Sequence, residues 1–245
     1  MPIEALHSAS QPYSAIVLGS TGNVGRQILK LLVGSSAVKQ VVVLNRRQTD
    51  EFKGITKVQE VVVPDMNHLA EAAERAARDA VATIGFCSIG VGKGSRKMPD
   101  AEVRKVEVQY SEAFAKGCKV GGVLSLGLLT AAGVDANSSF KYVRIIGEKE
   151  KAVIGVGIPT LSVFKPSVIF GNSNTPVYLQ YLFPAVQWFL PSRYHAIHKN
   201  ELARAMIEGT QNALAELRGG ELSTPVVRIY EYDEMKPLFT DNRTN

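Results

Sequence analysis

The sequence predicts an α/β fold, a doubly wound parallel sheet in a three-layer αβα arrangement with a small C-terminal cap. Apolar runs rich in β-branched residues alternate with amphipathic helical patterns along most of the chain. The runs are apolar throughout rather than at every second residue, so neither face of the sheet they build can stand in water. The first run also passes through a glycine-rich turn directly into a helical pattern. Strands buried on both faces and joined by helices form parallel sheets with helices on either side.

The runs fall at Ser14–Leu18, Gln40–Asn45, Lys57–Val63, Ala82–Ser88, Val120–Leu126 and Thr160–Ile169. After the first, Val24, Ile28, Leu31 and Leu32 share one helical face. After the third comes an Ala-rich helix over Asn67–Arg78, with Asn67 as its cap. After the fourth, Val103, Val106, Tyr110, Ala113 and Phe114 share a face, and Gly117 stands where a left-handed cap would end the helix. From Gly171 the rhythm breaks, with Pro176, Pro184 and Pro191, an aromatic cluster at Tyr178, Tyr181, Phe183, Trp188 and Phe189, and a last helix near Asn200–Leu217. The chain is expected to be one domain, 1–245, with 171–245 contributing a cap on the substrate side.

Composition narrows the function classes. The 245 residues, 45% hydrophobic and 21% charged, are ordinary for a globular protein and enough to bury roughly three quarters of the unfolded chain's surface. Cys87 and Cys118 read as a strand-buried residue and a loop thiol, not a redox pair. No apolar run approaches the roughly 18 residues of a membrane span, and the N-terminal residues lack a charged-then-apolar leader. A cytoplasmic protein that meets no membrane is expected. The net charge of +5 suits an anionic ligand; it is too small and scattered to imply nucleic acid. His195, His198 and Glu201 lack the further Cys or His that a metal site would need, so no metal is expected. Lys93, Arg96 and Lys97 are either a solvated basic loop or flanks for phosphates.

The stretch AIVLGSTGNVGRQILKLL carries the chemistry. Gly19 permits a turn with positive φ, Gly22 lets backbone amides approach a pyrophosphate, and Gly25 lets the helix pack close to the strand. Ser20, Thr21, Asn23 and Val24 complete the cradle, where free amides and the positive end of the helix dipole face the phosphates. The second strand ends in Asn45, Arg46 and Arg47, where an NAD-binding chain carries Asp or Glu for the ribose 2′-OH. A guanidinium would instead pair with a 2′-phosphate, so NADP is the expected cofactor. Asp65, followed by Met66, could accept from the adenine amino group or simply form a turn. Ser88, Ile89 and Gly90, at the end of the fourth strand, would line the cofactor's ribose.

GSTGNVG, NRR after the second strand and FCSIG after the fourth, with a Ser on the fifth strand and a Tyr opening the next helix, resemble the short-chain dehydrogenase/reductase superfamily in its atypical branch. VQEVVVPDM, IGFCSIGVGKG, VEVQYSEAFAKGCK, SSFKYVRIIGEKE and HAIHKNELARAMIEG resemble the Tat-interacting oxidoreductase-like proteins within it. The resemblance runs from about Ala15 to Leu217. It implies a Rossmann domain that binds NADP and reduces a small carbonyl compound. The family's catalytic Ser falls on Ser125 and its catalytic Tyr on Tyr142, and the backbone from Lys165 and Pro166 to Val168 would contact the nicotinamide amide. The family's Lys, four residues after the Tyr, is replaced by Ile146. Lys141 and Arg144 belong to other helix faces, and Lys149, two turns from Tyr142, is roughly 10 Å along the axis and not counted as a substitute. Two functions remain open: a slow NADPH-dependent reductase with Tyr142 as proton donor, or an NADP-binding regulatory or scaffold protein with a protein partner.

Overall fold

The computed structural model describes residues 12–92, 97–171, 190–220 and 225–240. A parallel sheet runs in the order β3 (Val58–Val62), β2 (Val38–Asn45), β1 (Tyr13–Leu18), β4 (Ala82–Cys87), β5 (Ser125–Leu129), β6 (Thr160–Phe164), β9 (Val226–Tyr230). The order reverses between β1 and β4, and beyond the carboxyl ends of those strands lies the crevice where such folds take their ligands. The short β7 (Ile169–Phe170) and β8 (Ile197–His198) pair separately.

Apolar residues fill both faces. On one, Ile16 and Leu18 of β1 join Leu69 and Ala73 of α2 (Leu69–Asp79), Phe114 of α4 (Tyr110–Val120) and Val153 of α5 (Lys141–Val156). On the other, Ala15 and Val17 join Ile28 and Leu32 of α1 (Asn23–Gly34), Leu202 and Met206 of α6 (Lys199–Arg218) and Met235 of α7 (Tyr232–Thr240). Alternate residues of one strand enter opposite cores, which is why the strands read as unbroken apolar runs. A short helix, α3 (Asp100–Arg104), continues through a π turn at Lys105–Gln109 into α4.

Several local expectations need correction. Gly117 does not end its helix: α4 runs on to Val120, and the left-handed turn falls at Gly122, φ +95°. Gly117 is instead where α4 crosses α2, and a Cβ there would overlap the Ala70 carbonyl oxygen. The fifth strand accordingly starts at Ser125 rather than Val120, and Cys118 is a buried helix residue, not a loop thiol. Asp65, not Asn67, is the cap: its carboxylate accepts from the Asn67 amide at 3.0 Å and starts the short 3-10 turn before α2.

The sixth strand stops at Phe164, because Lys165-Pro166 leads the chain out of the sheet. The described part of 171–245 also builds the body of the fold. The α6 helix packs on α1, and β9 is the outer parallel strand beside β6. The aromatic cluster from Tyr178 to Phe189, with Lys93 and Arg96, lies outside the described residues. No described helix is long and apolar enough to cross a membrane.

The close α2–α4 crossing predicts that Gly117→Ala costs about 2 kcal/mol by overpacking. Gly34→Ala, with open space around the added methyl, should leave stability unchanged or slightly raised. Urea unfolding of the two variants measures both.

Candidate functional site

At the crevice, the chain turns out of β1 through Gly19, whose φ of +90° suits glycine. A Cβ on Gly19 would lie 2.6 Å from the Ile89 nitrogen and 2.7 Å from the Ser88 carbonyl carbon. The turn is thus pressed backbone to backbone against the exit of β4. Gly25 would collide with the Gly19 carbonyl oxygen if it carried a Cβ, so α1 begins tight against the turn. The Gly22 amide donates to Gly19 O at 3.0 Å and the Arg26 amide to Gly22 O at 2.9 Å. Ser88 Oγ donates toward the carbonyls of Leu18 and Gly19 at 3.3 and 3.4 Å. These contacts leave a concave amide-lined turn, Gly19 to Gly25 with Ser20, Thr21, Asn23 and Val24, at the amino end of α1. That is the shape and charge a pyrophosphate needs.

A polar chain ties this turn to the end of β2. Ser20 Oγ donates to Asn45 Oδ1 at 3.0 Å, and Asn45 Nδ2 donates to Glu60 Oε1 at 2.7 Å. Glu60 also accepts from the Thr49 amide at 3.1 and 3.3 Å. The segment between Asn45 and Thr49, which carries Arg46 and Arg47, is therefore held at both ends. Both arginines are exposed, without a hydrogen bond or ion pair to any described residue. A turn with no room for a Cβ at Gly19 or Gly25, and two exposed guanidiniums beside it, form this side of the crevice. Glu60 was not anticipated; only the register of β3 beside β2, with Val43 opposite Glu60, reveals it.

Asp65 caps its turn and is exposed, while Met66 is buried beneath it. Lys165 follows β6 at the carboxyl edge, but its ammonium pairs with Glu150 at 3.1 Å. The Pro166 carbonyl accepts from the Ala132 amide at 2.9 Å, and the Val168 carbonyl from the Ile197 amide at 3.0 Å. These bonds brace the rim of the crevice. His198 accepts from the Asn200 amide at 3.3 Å, and Glu201 accepts from the His198 amide at 2.9 Å. The His-Glu spacing thus resolves into a capping box at the start of α6.

The structure does not support Ser125 as a catalytic hydroxyl. Ser125 is the first residue of β5, opposite Thr160 at the start of β6, so it lies at the amino edge of the sheet, away from the glycine turn. It is wholly buried, and its Oγ donates to Thr210 O at 2.8 Å. The hydroxyl at the carboxyl end of β5 belongs to Thr130, whose Oγ1 lies 3.3 Å from Phe164 O. The mistake follows from setting the strand early: once β5 moves to Ser125–Leu129, the next residue is the one at the crevice.

Tyr142 is the second residue of α5 and is 51% exposed. Its phenol is pushed up to about 12, first by desolvation and then by the charge of Glu107. Lys141 and Arg144 turn aside, as helix periodicity requires, and both pair with Asp100, at 3.0 and 3.2 Å. Arg104 grips Glu148 through two bonds of 2.7 and 2.9 Å, which fastens α3 to α5. Ile146 is buried, with no cation in its place. One turn further, Lys149 is 2% exposed, and its ammonium meets Ile89 O at 2.9 Å and Glu107 Oε2 at 3.2 Å. Glu107, on the π turn, also accepts from the Val91 amide at 2.9 Å. Removing one member of such a buried pair typically costs about 3–5 kcal/mol, because the other charge is left uncompensated. Burial also raises the Cys87 thiol, partly offset by Lys149.

Set beside known proteins, the chain is 29% identical over 235 residues, 92% of its length, to Protein FMP52-1, mitochondrial, of Scheffersomyces stipitis, and covers 98% of that relative. It is 32% identical over 160 residues to Protein HTATIP2 of Rattus norvegicus, which is 65% of this chain and 64% of that protein. No family model matches the chain. Among solved structures, a Burkholderia thailandensis oxidoreductase of the short-chain dehydrogenase/reductase family superposes with a TM-score of 0.62 at 11% identity, covering 92% of this chain and 94% of that one. The chain is thus similar in sequence to FMP52-1 and HTATIP2 and shares its fold with a short-chain dehydrogenase/reductase. The Bordetella bronchiseptica enzyme WbmG, solved in complex with NAD, has the same fold, with a TM-score of 0.64 at 15% identity over 95% of this chain and 78% of WbmG.

Two hydroxyl deletions separate the edges of the sheet. Ser125→Ala should cost about 1 kcal/mol in thermal stability and leave dinucleotide affinity unchanged. Thr130→Val should cost less stability and impair whatever turnover the crevice supports.

Proposed function

We propose that the protein binds NADP(H) and reduces a small carbonyl compound, with Tyr142 as the proton donor. The observation that carries this reading is the exposed Arg46–Arg47 pair at the end of β2, without a partner among the described residues and anchored to a turn with no room for a Cβ at Gly19 or Gly25. The amides of Gly19 to Gly25 would hold the pyrophosphate, Arg46 and Arg47 the 2′-phosphate, and Ser88 to Gly90 the nicotinamide ribose. Asp65, Met66 and the 165–168 backbone would border the adenine and nicotinamide ends. The bound cofactor supplies hydride. With its pKa near 12, Tyr142 is protonated at neutral pH, with only about one part in 10⁵ as tyrosinate. It can give its proton to a carbonyl oxygen as the carbonyl carbon is reduced. Half exposure lets the phenolate regain a proton from water.

Ile146 supports a second reading, a protein that binds the dinucleotide to sense redox state or hold a shape for a partner. A missing preorganised cation beside a developing tyrosinate typically costs about 3 kcal/mol, or a hundredfold in rate. That penalty slows reduction and weighs more on alcohol oxidation, which needs tyrosinate as base. The reading places the protein in the cytoplasm; on that point it departs from the Scheffersomyces relative, whose name is mitochondrial.

In a side-by-side fluorescence titration, NADPH should bind more tightly than NADH, and Arg46→Ala with Arg47→Ala should remove about tenfold or more of that preference. If neither cofactor binds, the reading is wrong. Reduction should stay level from pH 6 to pH 9 and fall only as Tyr142 ionises near 12, whereas oxidation should rise about tenfold per pH unit through that range. Tyr142→Phe should abolish reduction and Ile146→Lys should raise it. Turnover that survives Tyr142→Phe removes this mechanism.

A further inference from the structure

Tyr142, Ile146 and Lys149 recur at helical spacing along one side of α5. The first position at which a cation could stand beside Tyr142 is filled by Ile146, and the buried cation appears one turn later. Lys149 does not reach toward the phenol. Its ammonium ends on Ile89 O, and the carboxylate it pairs with accepts from Val91 N. The residue between them, Gly90, would bring a Cβ within 3.0 Å of that same carboxylate. One ion pair therefore bonds the backbone on either side of Gly90 and closes against Gly90 itself.

This segment is the exit of β4, whose other side is pressed on the Gly19 turn. It is clamped between a glycine with no side chain and a buried Lys–Glu pair. Stability does not explain the pair, since apolar residues of similar size usually serve a core as well or better. A π turn, the kind of helix irregularity that recurs at functional sites, is what brings Glu107 inward.

We propose that Lys149, held by Glu107, is the positioning cation of the dinucleotide site. It fixes Ile89–Val91, the wall for the nicotinamide half, and acts through that backbone without touching cofactor or substrate. The inference rests on the dinucleotide-binding reading above. It assigns Glu107 and Lys149 to one half of the ligand, whereas the glycine turn and Arg46–Arg47 serve the other.

The test uses two ligands, NADPH and 2′,5′-ADP, which carries only the adenosine half. Lys149→Met with Glu107→Gln removes both charges at nearly constant volume. Glu107→Asp keeps the charge pair, shortens its reach, and serves if the double variant fails to fold. In either folded variant, NADPH should bind weaker, by about tenfold in the double variant, while 2′,5′-ADP binds as in the wild type. Exchange of the Val91 amide hydrogen should quicken in both. Unchanged NADPH affinity in a folded variant would overturn the inference, as would equal weakening of both ligands, which marks general loosening. A wild-type protein that binds neither ligand overturns the dinucleotide reading and this inference with it, an outcome distinct from the other two.

Discussion

The site depends on a backbone contact, the approach of Gly19 to Ser88 and Ile89. Neighbouring parallel strands run about 5 Å apart, and their side chains project above and below the sheet. Here the chain leaving β1 crosses directly over the chain leaving β4, at a distance no Cβ would allow. The contact forms where the strand order reverses, so it also sets the floor of the crevice. Gly25 repeats the condition one turn later by letting α1 begin against the Gly19 carbonyl.

From that contact, polar chains run outward. Ser88 ties β4 back to β1, and Ser20, Asn45 and Glu60 carry the connection across β2 to β3. Lys149 and Glu107 hold the same strand exit from the α5 side. Each such group is expensive to leave unpaired and contributes modestly when paired. Chains of this kind therefore set geometry more than they add stability. The result is a rim whose arginines meet no described partner and a floor braced by hydrogen bonds.

Tyr142 illustrates how environment decides chemistry. Desolvation and the Glu107 charge both favour the neutral phenol, which suits proton donation and opposes proton abstraction. Lys149 offsets Glu107 at close range, yet its ammonium is committed to Ile89 and the carboxylate. A cation at position 146 would stand one turn nearer to Tyr142. The chain keeps a neutral phenol at Tyr142 and commits its buried cation to the strand exit.

The layered fold and the glycine turn were legible in the sequence because they rest on local rules. Strands buried on both faces must be apolar at every residue, and a tight strand-to-helix turn must be glycine where Cβ has no room. The exposure of Arg46 and Arg47 was legible for the same reason, since they follow a strand whose end is marked. Ser125 was misjudged because the boundary between α4 and β5 has no local signal: Val120 to Leu126 reads as strand, and only the packing of α4 on α2, through Gly117, carries the helix on to Val120. That shift moved Ser125 to the far edge of the sheet and brought Thr130 to the near one. Likewise, Glu60 and Glu107 look like any exposed acid in sequence. Their partners are residues 15 and 42 positions away, so the register of β3 and the π turn in the α3–α4 helix decided their roles. The sequence by itself determined which residues could not be exposed. Which buried polar groups met was decided by the tertiary structure, because pairing depends on distances between elements that no local pattern encodes.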